Sequence, residues 1–315
     1  MAVFRKLLSS KTRVKSSRGE SVEIDGILLE LTNPRSRLSR TENRGTIFSC
    51  LGEWLWYVSG SDKLDFIEYY ISHYRNESED GLTLYGAYGP RIFGKGTKAQ
   101  IENVLSLLGK KKTSRRAVVQ IFDSKDLVGE HKEIPCTCIW QFLVRDNQLH
   151  MYTYMRSNDA YYGLPHDIFA FTMIQELVAN SLGVGLGSYK HSVGSLHLYM
   201  DFIEKANEYL DEGWQDLISM PEMPAASPWN DLKKVLDAEQ KLRCKKDIDI
   251  DSYQLDSYWL DLIYLLDIYK NIKEKKLKEV ARRKNRLSSN VYETYIRRKT
   301  SASTRSVPEQ LDLIK

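Results

Sequence analysis

The chain has 315 residues, of which 42% are hydrophobic and 28% are charged, a balance typical of a globular protein with a substantial core. Its formal net charge of +4 is too small to predict nucleic-acid binding by overall electrostatic attraction. No apolar run is long enough for a membrane span, and the basic N-terminus lacks the apolar segment of a secretory signal, so we expect a cytoplasmic protein without membrane contact. Four cysteines are too few for a disulfide scaffold and lack paired zinc spacing, so no metal site is predicted.

The first half of the chain predicts a hairpin followed by three helices. Asp25-Gly26 supplies the positive φ angles that a tight turn requires, so we expect a hairpin over residues 22–29. Apolar residues then recur at helical spacing in three segments. These segments are residues 46–59, 61–75 and 98–108.

The middle of the chain predicts a sheet and one buried helix. Residues 168–182 are apolar nearly all round and lie between Pro165 and Gly183, which indicates a helix in the protein interior. Strand signals precede and follow it. The expected strands are residues 117–122, 138–145, 149–156 and 183–199, and an amphipathic helix is expected near 199–211.

This order of elements predicts an α+β fold, in which helices pack against a sheet core. Three prolines at 221, 224 and 228 indicate a boundary, after which the chain becomes helical and rich in charge. We expect a main domain over residues 1–215, a helical extension over 216–300 and a mobile tail over 301–315. Within the extension, residues 270–286 predict a basic helix.

A candidate thiol nucleophile, Cys136, follows a proline at the start of a predicted strand. Taken alone, a cysteine is more often a small buried hydrophobic residue. A thiolate at neutral pH needs positive charge nearby, which Arg156 and the pair Arg115-Arg116 supply if the fold brings them together. Cys138 is expected to point to the opposite face of the strand, which makes a two-cysteine redox or metal pair a weak alternative.

Two further pieces carry polar groups suited to a binding site. Arg156-Ser157 ends a strand with a guanidinium fork and a hydroxyl group, a combination suited to phosphate, although such a pair is usually a solvated strand end. Glu53 lies among aromatic residues on an apolar helix, where burial of a carboxylate is costly unless it has a role.

The motifs of this region resemble the active-site core of the thymidylate synthase and deoxycytidylate hydroxymethylase family. The matching pieces, in order, are Pro135-Cys136, Gln141-Phe142, Arg156-Ser157 with Asp159, and Gly163-Leu164-Pro165. The resemblance covers roughly residues 15–210. It implies the α+β fold of that family, 5,10-methylenetetrahydrofolate as co-substrate, a pyrimidine nucleoside monophosphate as substrate, and a homodimer.

The resemblance also implies a role for each matching residue. The catalytic set would be Cys136 as the nucleophile, Glu53 as the organiser of water and protons, Tyr85 as the assistant in removing the C5 proton, and Asp159. The substrate would be bound by Arg18, Arg156 and Ser157 at its phosphate, by His197 and Tyr199 at the sugar 3′-hydroxyl, and by Asp167 at the base. Arg115 and Arg116 would reach the phosphate across the dimer interface.

Asp167 stands where synthases that act on deoxyuridylate carry Asn. An amide matches the O4 acceptor and N3–H donor of uracil, whereas cytosine presents an N4 amino donor beside an N3 acceptor, which a protonated carboxyl group matches. Neutral drift from Asn to Asp is the weaker alternative, because an unmatched polar edge in a pocket is costly. Asp167 therefore favours a cytosine substrate.

Three other departures from the synthases point to hydroxymethylation. Thr137 replaces His, Met155 replaces Gln, and residues 61–91 contain no Trp. In the family that indole shields an exocyclic methylene for hydride delivery, and without it water captures the methylene more easily. We therefore expect hydroxymethylation of (d)CMP, with a divergent thymidylate synthase methylating dUMP as the alternative. A nucleotide-binding regulator or RNA-binding protein acting through the basic helix is a third, weaker hypothesis.

Overall fold

A computed structural model describes residues 1–16, 18–39, 46–96, 99–213, 218–297 and 300, so the predicted tail at 301–315 lies outside it. Within these residues one sheet contains β1 (Arg13–Ser16), β2 (Gly19–Leu31), β3 (Val118–Gln120), β4 (Thr137–Arg145), β5 (Gln148–Asp159) and β6 (Gly185–Tyr199). The strand order is β1-β2-β6-β5-β4-β3. Only β5 and β6 pair in parallel among these neighbours.

Helices pack against this sheet, which confirms the predicted α+β class. The α-helices include α1 (Ala2–Leu8), α2 (Ile47–Val58), α3 (Leu64–Tyr70), α4 (Tyr88–Phe93), α5 (Gln100–Lys110), α6 (Gly163–Ser181), α7 (Ile203–Asp211), α8 (Pro228–Arg243), α9 (Ser257–Lys273) and α10 (Leu277–Lys284). The crossover from β5 to its parallel neighbour β6 is made by α6, which is buried along most of its length and packs against α2. No described helix is both long and apolar enough to cross a membrane.

The hairpin predicted at Asp25-Gly26 is wrong, because β2 continues through it. Gly26 does have a positive φ of 60°, but Asp25 and Ile27 on either side both pair with β6. This long neighbouring strand keeps β2 extended, so tertiary pairing overrides the local turn signal. The observed hairpin lies earlier in the chain, where Ser16 of β1 pairs with Gly19 of β2.

The helices after residue 227 share the hydrophobic core of the sheet region. Tyr269 of α9 stacks on Phe48 of α2 and on Tyr70 of α3. Tyr70 also donates a 2.9 Å hydrogen bond to the buried Glu239 of α8. The extension therefore packs on α2 and α3. Its predicted boundary at residues 215 and 216 lies outside the described residues and stays a prediction.

The single basic helix predicted over residues 270–286 is wrong, since the chain divides there into the end of α9 and α10. A break near Lys275, whose φ is +58°, separates the two helices. Two of the cations in this segment are neutralised within the chain: the buried Lys270 pairs with Asp247, and Arg283 pairs with Asp267. These ion pairs weaken the hypothesis of nucleic-acid binding by this segment.

Candidate active site

The backbone around Cys136 is held by hydrogen bonds from two directions. The carbonyl of Cys136 accepts a 2.9 Å bond from the amide of Arg156 on β5. The amide of Thr137 donates a 3.1 Å bond to the hydroxyl oxygen of Tyr88 on α4. The half-buried thiol of Cys136 is thus fixed at the start of β4, with a tyrosine hydroxyl beside it.

The guanidinium group of Arg156 lies at the loop that carries Cys136. Its Nε donates to the carbonyl of Pro135 at 3.0 Å and its Nη2 to the carbonyl of Ile134 at 3.1 Å. Burial raises the pKa of the Cys136 thiol to about 11, although the positive charge of Arg156 opposes this increase. Burial thus favours the protonated thiol, and the charge of Arg156 alone does not reverse this preference.

Cys138 is the extra residue of a β-bulge in β4. Thr137 pairs with Met155, and Ile139 pairs with the next residue on β5, Tyr154. The simple alternation that predicted opposite faces for Cys136 and Cys138 therefore does not hold at this point. The charge of Arg156 acts on both thiols and lowers the pKa of each, against the increase caused by burial.

Glu53 is buried on α2, where only 5% of the residue is exposed. Its Oε1 accepts hydrogen bonds from the hydroxyl groups of Tyr57 at 2.9 Å and Tyr74 at 2.7 Å. Its negative charge also raises the pKa of Asp167, which places the two carboxyl groups in the same site. Glu53 is therefore a buried carboxyl group among aromatic residues, the situation that is costly unless the group has a role.

A chain of buried side chains leads from β6 to Asp167. The hydroxyl of Tyr189 lies 2.6 Å from Nδ1 of His191, and Nε2 of His191 lies 2.9 Å from Oδ1 of Asn158. The amide Nδ2 of Asn158 donates to Oδ2 of Asp167 at 2.8 Å. Burial lowers the pKa of His191 to about 3, so this imidazole is neutral and has one N–H group.

The direction of every hydrogen bond from Tyr189 to Asp167 follows from the neutral imidazole of His191. Because Asn158 donates to Asp167 through its amide, its carbonyl accepts from Nε2–H of His191, and Nδ1 of that ring accepts from Tyr189. All donors point toward Asp167, so its Oδ2 is held as an acceptor. Tyr189, His191 and Asn158 were not identified as site residues from the sequence. The only sequence signal for them is a polar residue on the inner face of a strand.

Asp167 itself carries a proton at neutral pH. Burial raises its pKa to about 8, and the negative charge of Glu53 adds to this increase. A protonated carboxyl group can hold its hydrogen on either oxygen, so either of its two oxygens can be the donor while the other is the acceptor. In an amide held by Asn158 in the same place, the nitrogen would always be the donor and the oxygen always the acceptor.

We expect Asp167→Asn to flatten the pH dependence of stability. The folded-state pKa of about 8 lies above the value near 4 of an unfolded Asp, so the folded chain binds more protons between these pH values. The resulting stabilisation is complete below about pH 4 and is lost as the pH rises through about 8, on the order of a few kcal/mol. Urea denaturation at several pH values measures this, and equal slopes in both proteins would contradict a buried proton on Asp167.

Tyr88, and not the predicted Tyr85, has its hydroxyl group at the residue that follows the nucleophile. The ring of Tyr85 stacks on His131, with 3.5 Å between ring centroids, and 39% of Tyr85 is exposed. Tyr88 is buried, bonds to the amide of Thr137, and has its pKa raised by burial and by the charges of Asp167 and Cys136. Both tyrosines precede a glycine, and only the contrast in burial separates them.

His197 and Tyr199, predicted to bind the sugar, lie at the ends of β5 and β6 together with Ser157, predicted to bind phosphate, and Asp159, predicted to be catalytic. Oγ of Ser157 lies 3.5 Å from Nδ1 of His197, whose ring packs edge-on against Tyr199 with 5.0 Å between centroids. Asp159 pairs with His197 across the strands, and its carboxylate accepts bonds from the amides of Tyr161 at 2.8 Å and Tyr162 at 3.2 Å. In this chain Asp159 thus stabilises the turn into α6.

The predicted phosphate-binding arginines are divided between two places. Arg18 forms a 2.8 Å ion pair with Glu77, and its charge lowers the pKa of Cys136 against the increase caused by burial, so Arg18 lies near the site. Arg115 and Arg116 are exposed in the segment before β3. The carbonyl of Arg115 accepts a 2.9 Å bond from Gln141, which fixes the backbone there and leaves the side chain on the surface.

The fold is that of an enzyme of the thymidylate synthase type. The family model described as thymidylate synthase matches residues 36–257, which is more than half of the chain. The protein therefore belongs to the thymidylate synthase family. The matched region crosses the boundary predicted between residues 215 and 216, so it includes α8 and the start of α9.

Three curated relatives are deoxyuridylate hydroxymethyltransferases of phages. Identity is 30% over 206 residues with that of Delftia phage PhiW-14 (61% of this chain, 57% of the relative) and 30% over 167 residues with that of Pseudomonas phage M6 (52% and 48%). For Bacillus phage SP01 it is 26% over 245 residues (73% and 63%). The chain thus spans between about half and two thirds of the length of these relatives.

One solved structure shows the same fold. The crystal structure of thymidylate synthase from T4 phage superimposes with a TM-score of 0.62, covering 75% of this chain and 90% of that chain. Sequence identity is 22%, so this similarity concerns the fold alone.

Proposed function

We propose that this protein hydroxymethylates C5 of a pyrimidine nucleoside monophosphate, with (d)CMP as the substrate and 5,10-methylenetetrahydrofolate as the co-substrate. The observation that carries the proposal is the buried carboxyl group of Asp167, whose Oδ2 accepts a 2.8 Å hydrogen bond from Asn158 and whose pKa is raised by burial and by the charge of Glu53. The three hydroxymethyltransferase relatives support the reaction type.

Each residue of the site has its own role in the proposed reaction. Cys136 adds to C6 of the pyrimidine as a thiolate, which makes C5 nucleophilic, and it later leaves C6 again. Arg156 favours the thiolate, and the hydroxyl of Tyr88 lies next to the nucleophile for proton transfer at C5. Bound folate supplies the one-carbon unit, and the buried Glu53, with two tyrosine hydroxyl groups bonded to it, fits the polar edge of such a ligand.

Recognition of the base rests on the two oxygens of Asp167. With one proton, they donate to N3 and accept from N4 of cytosine, or, with the proton on the other oxygen, donate to O4 and accept from N3–H of uracil. Hydroxymethylation of dUMP is therefore a second candidate function, and the names of the three relatives favour it. Cytidylate remains the first candidate because an Asn at residue 167 would be enough to match uracil, whereas at this position only a carboxyl group matches cytosine.

One product analysis tests both candidates. The protein is incubated with methylenetetrahydrofolate and each of dCMP, CMP, dUMP and UMP, and the products are identified by mass spectrometry. We expect a hydroxymethylated cytidylate. Hydroxymethylated uridylate would establish the second candidate, methylated uridylate would establish a thymidylate synthase, and no product from any nucleotide would contradict the proposed reaction.

An exposed apolar stripe on the sheet supports a homodimer. Leu28, Tyr154, Ile139 and Val118 belong to β2, β5, β4 and β3 and are 61%, 45%, 39% and 42% exposed. Ser192 pairs with both Leu28 and Tyr154, and Tyr154 pairs with Ile139, so these residues share one face. A second copy of the chain would cover this face. Arginines from that copy would also lower the pKa of the Cys136 thiol.

Mixed dimers test whether Arg115 and Arg116 act across the interface. We expect both the Arg115→Ala/Arg116→Ala double variant and Cys136→Ser to be inactive alone, and their mixture to regain about a quarter of the wild-type activity per site at equal amounts, because half of the dimers are mixed and each has one intact site. Activity is assayed after subunit exchange, with mixed dimers quantified by native mass spectrometry. Mixed dimers without activity would exclude the trans arrangement.

A further inference from the structure

One carboxyl oxygen of Glu133 is buried and accepts no hydrogen bond from any described residue. Its Oε2 is shielded from solvent and has no hydrogen-bond partner in the described part of the chain. Such a group is costly to bury unless a ligand or water completes it. The carboxyl group lies against Gly86, where an added Cβ would stand 2.9 Å from Oε2 and 3.1 Å from Cδ. The space that Glu133 needs thus depends on the absence of a side chain at residue 86.

The loop around Glu133 is held on both sides. On one side, Lys132 donates from its amide to Glu79 at 3.1 Å and from Nζ to the carbonyl of Ser78 at 2.8 Å. On the other side, Arg156 donates to the carbonyls of the two residues that follow Glu133, as described above. The backbone on both sides of Glu133 is therefore fixed, on one side by the arginine that also holds the loop of Cys136.

Glu133 shares an electrostatic environment with the nucleophile. The charged groups that act on it are Glu77, Arg18, Glu53 and Arg91, and its own negative charge raises the pKa of Cys136. Burial raises the pKa of Glu133 to about 7, Glu77 adds to the increase, and Arg18 opposes it. Near neutral pH the group is divided between its acid and its base forms, as a general base requires.

We propose that Glu133 is the general base that activates the water captured at C5, an inference that rests on the proposed hydroxymethylation. The oxygen of water forms a bond to the exocyclic methylene carbon, and the electron pair of the exocyclic double bond moves into the pyrimidine ring. One proton of the water passes to the Glu133 carboxylate. The electron pair then forms the C5–C6 double bond and expels the Cys136 thiolate, which leaves the hydroxymethyl product. Glu133 ends protonated and Cys136 ends as thiolate, so charge is conserved.

Glu133→Gln separates water capture from the earlier steps. In single turnovers with C5-tritiated nucleotide, we expect tritium release at close to the wild-type rate and hydroxymethylated product formed about 100-fold more slowly. A thiol such as 2-mercaptoethanol, added as an alternative nucleophile, should give the C5 thioether at comparable rates in both proteins, since a thiolate needs no base. Gly86→Ala, which displaces the carboxyl group but retains it, should show the same defect to a smaller degree.

Two further measurements exclude a merely structural effect. Isotope-edited infrared spectra of the protein without folate should show a carboxyl group that titrates near pH 7 in wild type and is missing in Glu133→Gln. Glu130→Gln, an exposed change in the same loop, should leave every rate unchanged. Hydroxymethylated product formed at the wild-type rate by Glu133→Gln would overturn the role of Glu133 alone. A wild-type protein that forms no such product would overturn the proposed function and this role together.

Discussion

Replacement of Cys136 by Ser is expected to lower turnover by about 10³-fold or more while leaving nucleotide binding largely intact. A serine hydroxyl is not ionised to a useful degree at neutral pH, whereas a thiol is converted to a nucleophilic thiolate by nearby positive charge. In this site Arg156 contacts the loop directly before the cysteine and opposes the increase in thiol pKa that burial causes. Arginines of a second copy would lower that pKa further. Steady-state rates measure the loss, and calorimetry measures the affinity for nucleotide.

Cys138→Ser is the matched control for that prediction. It makes the same chemical change two residues further along, at the bulge of β4, and we expect a far smaller loss of activity. Full activity in Cys136→Ser would remove the covalent mechanism. A large loss of activity in Cys138→Ser combined with a small one in Cys136→Ser would identify Cys138, at the bulge, as the nucleophile.

Asp167→Asn is expected to shift the preference from cytidylate toward uridylate by roughly tenfold to a hundredfold or more, since each unmatched buried group costs about 1–3 kcal/mol. The carbonyl of the new amide would accept from Asn158, as Oδ2 of Asp167 does now. Its NH₂ group would then be a permanent donor, which suits O4 of uracil and opposes N4 of cytosine.

Specificity constants for dCMP and dUMP in both proteins measure this shift. Asp211→Asn, at the exposed end of α7, makes the same substitution away from the site and should leave the ratio unchanged. If Asp167→Asn keeps the wild-type ratio, the base is not read by this side chain. If the wild type already prefers dUMP, the second candidate replaces the first.

The sequence predicts the fold well wherever the signal is periodic and long. The buried helix α6 and the paired strands β4 and β5 were all expected close to their observed bounds. The failure at Asp25-Gly26 has a different origin, because a local turn signal was overridden by pairing with β6, a strand about 170 residues later. Such pairing is a property of the folded chain and leaves no trace in the local pattern.

The site was predictable only in its motif residues. Arg156 was a candidate source of positive charge for Cys136 on the condition that the fold brings them together, and it does so, whereas Arg115 and Arg116 are exposed before β3. Tyr88 was missed because two Tyr-Gly pairs lie three residues apart and only burial distinguishes them. Glu133 was missed because a glutamate in a loop is normally solvated, and its burial depends on contact with Gly86, which only the folded chain creates.

The central claim is that one-carbon transfer proceeds through a covalent bond between Cys136 and C6 of the pyrimidine. A substrate with fluorine at C5 tests it most directly, because fluorine cannot leave as a cation and the reaction stops with the nucleotide still bonded to the enzyme. The protein is incubated with methylenetetrahydrofolate and 5-fluoro-dCMP or 5-fluoro-dUMP, and fragment mass spectra locate the adduct. We predict an adduct on Cys136 and none on Cys138. Under conditions that support turnover, the absence of any covalent adduct with either nucleotide would contradict the account.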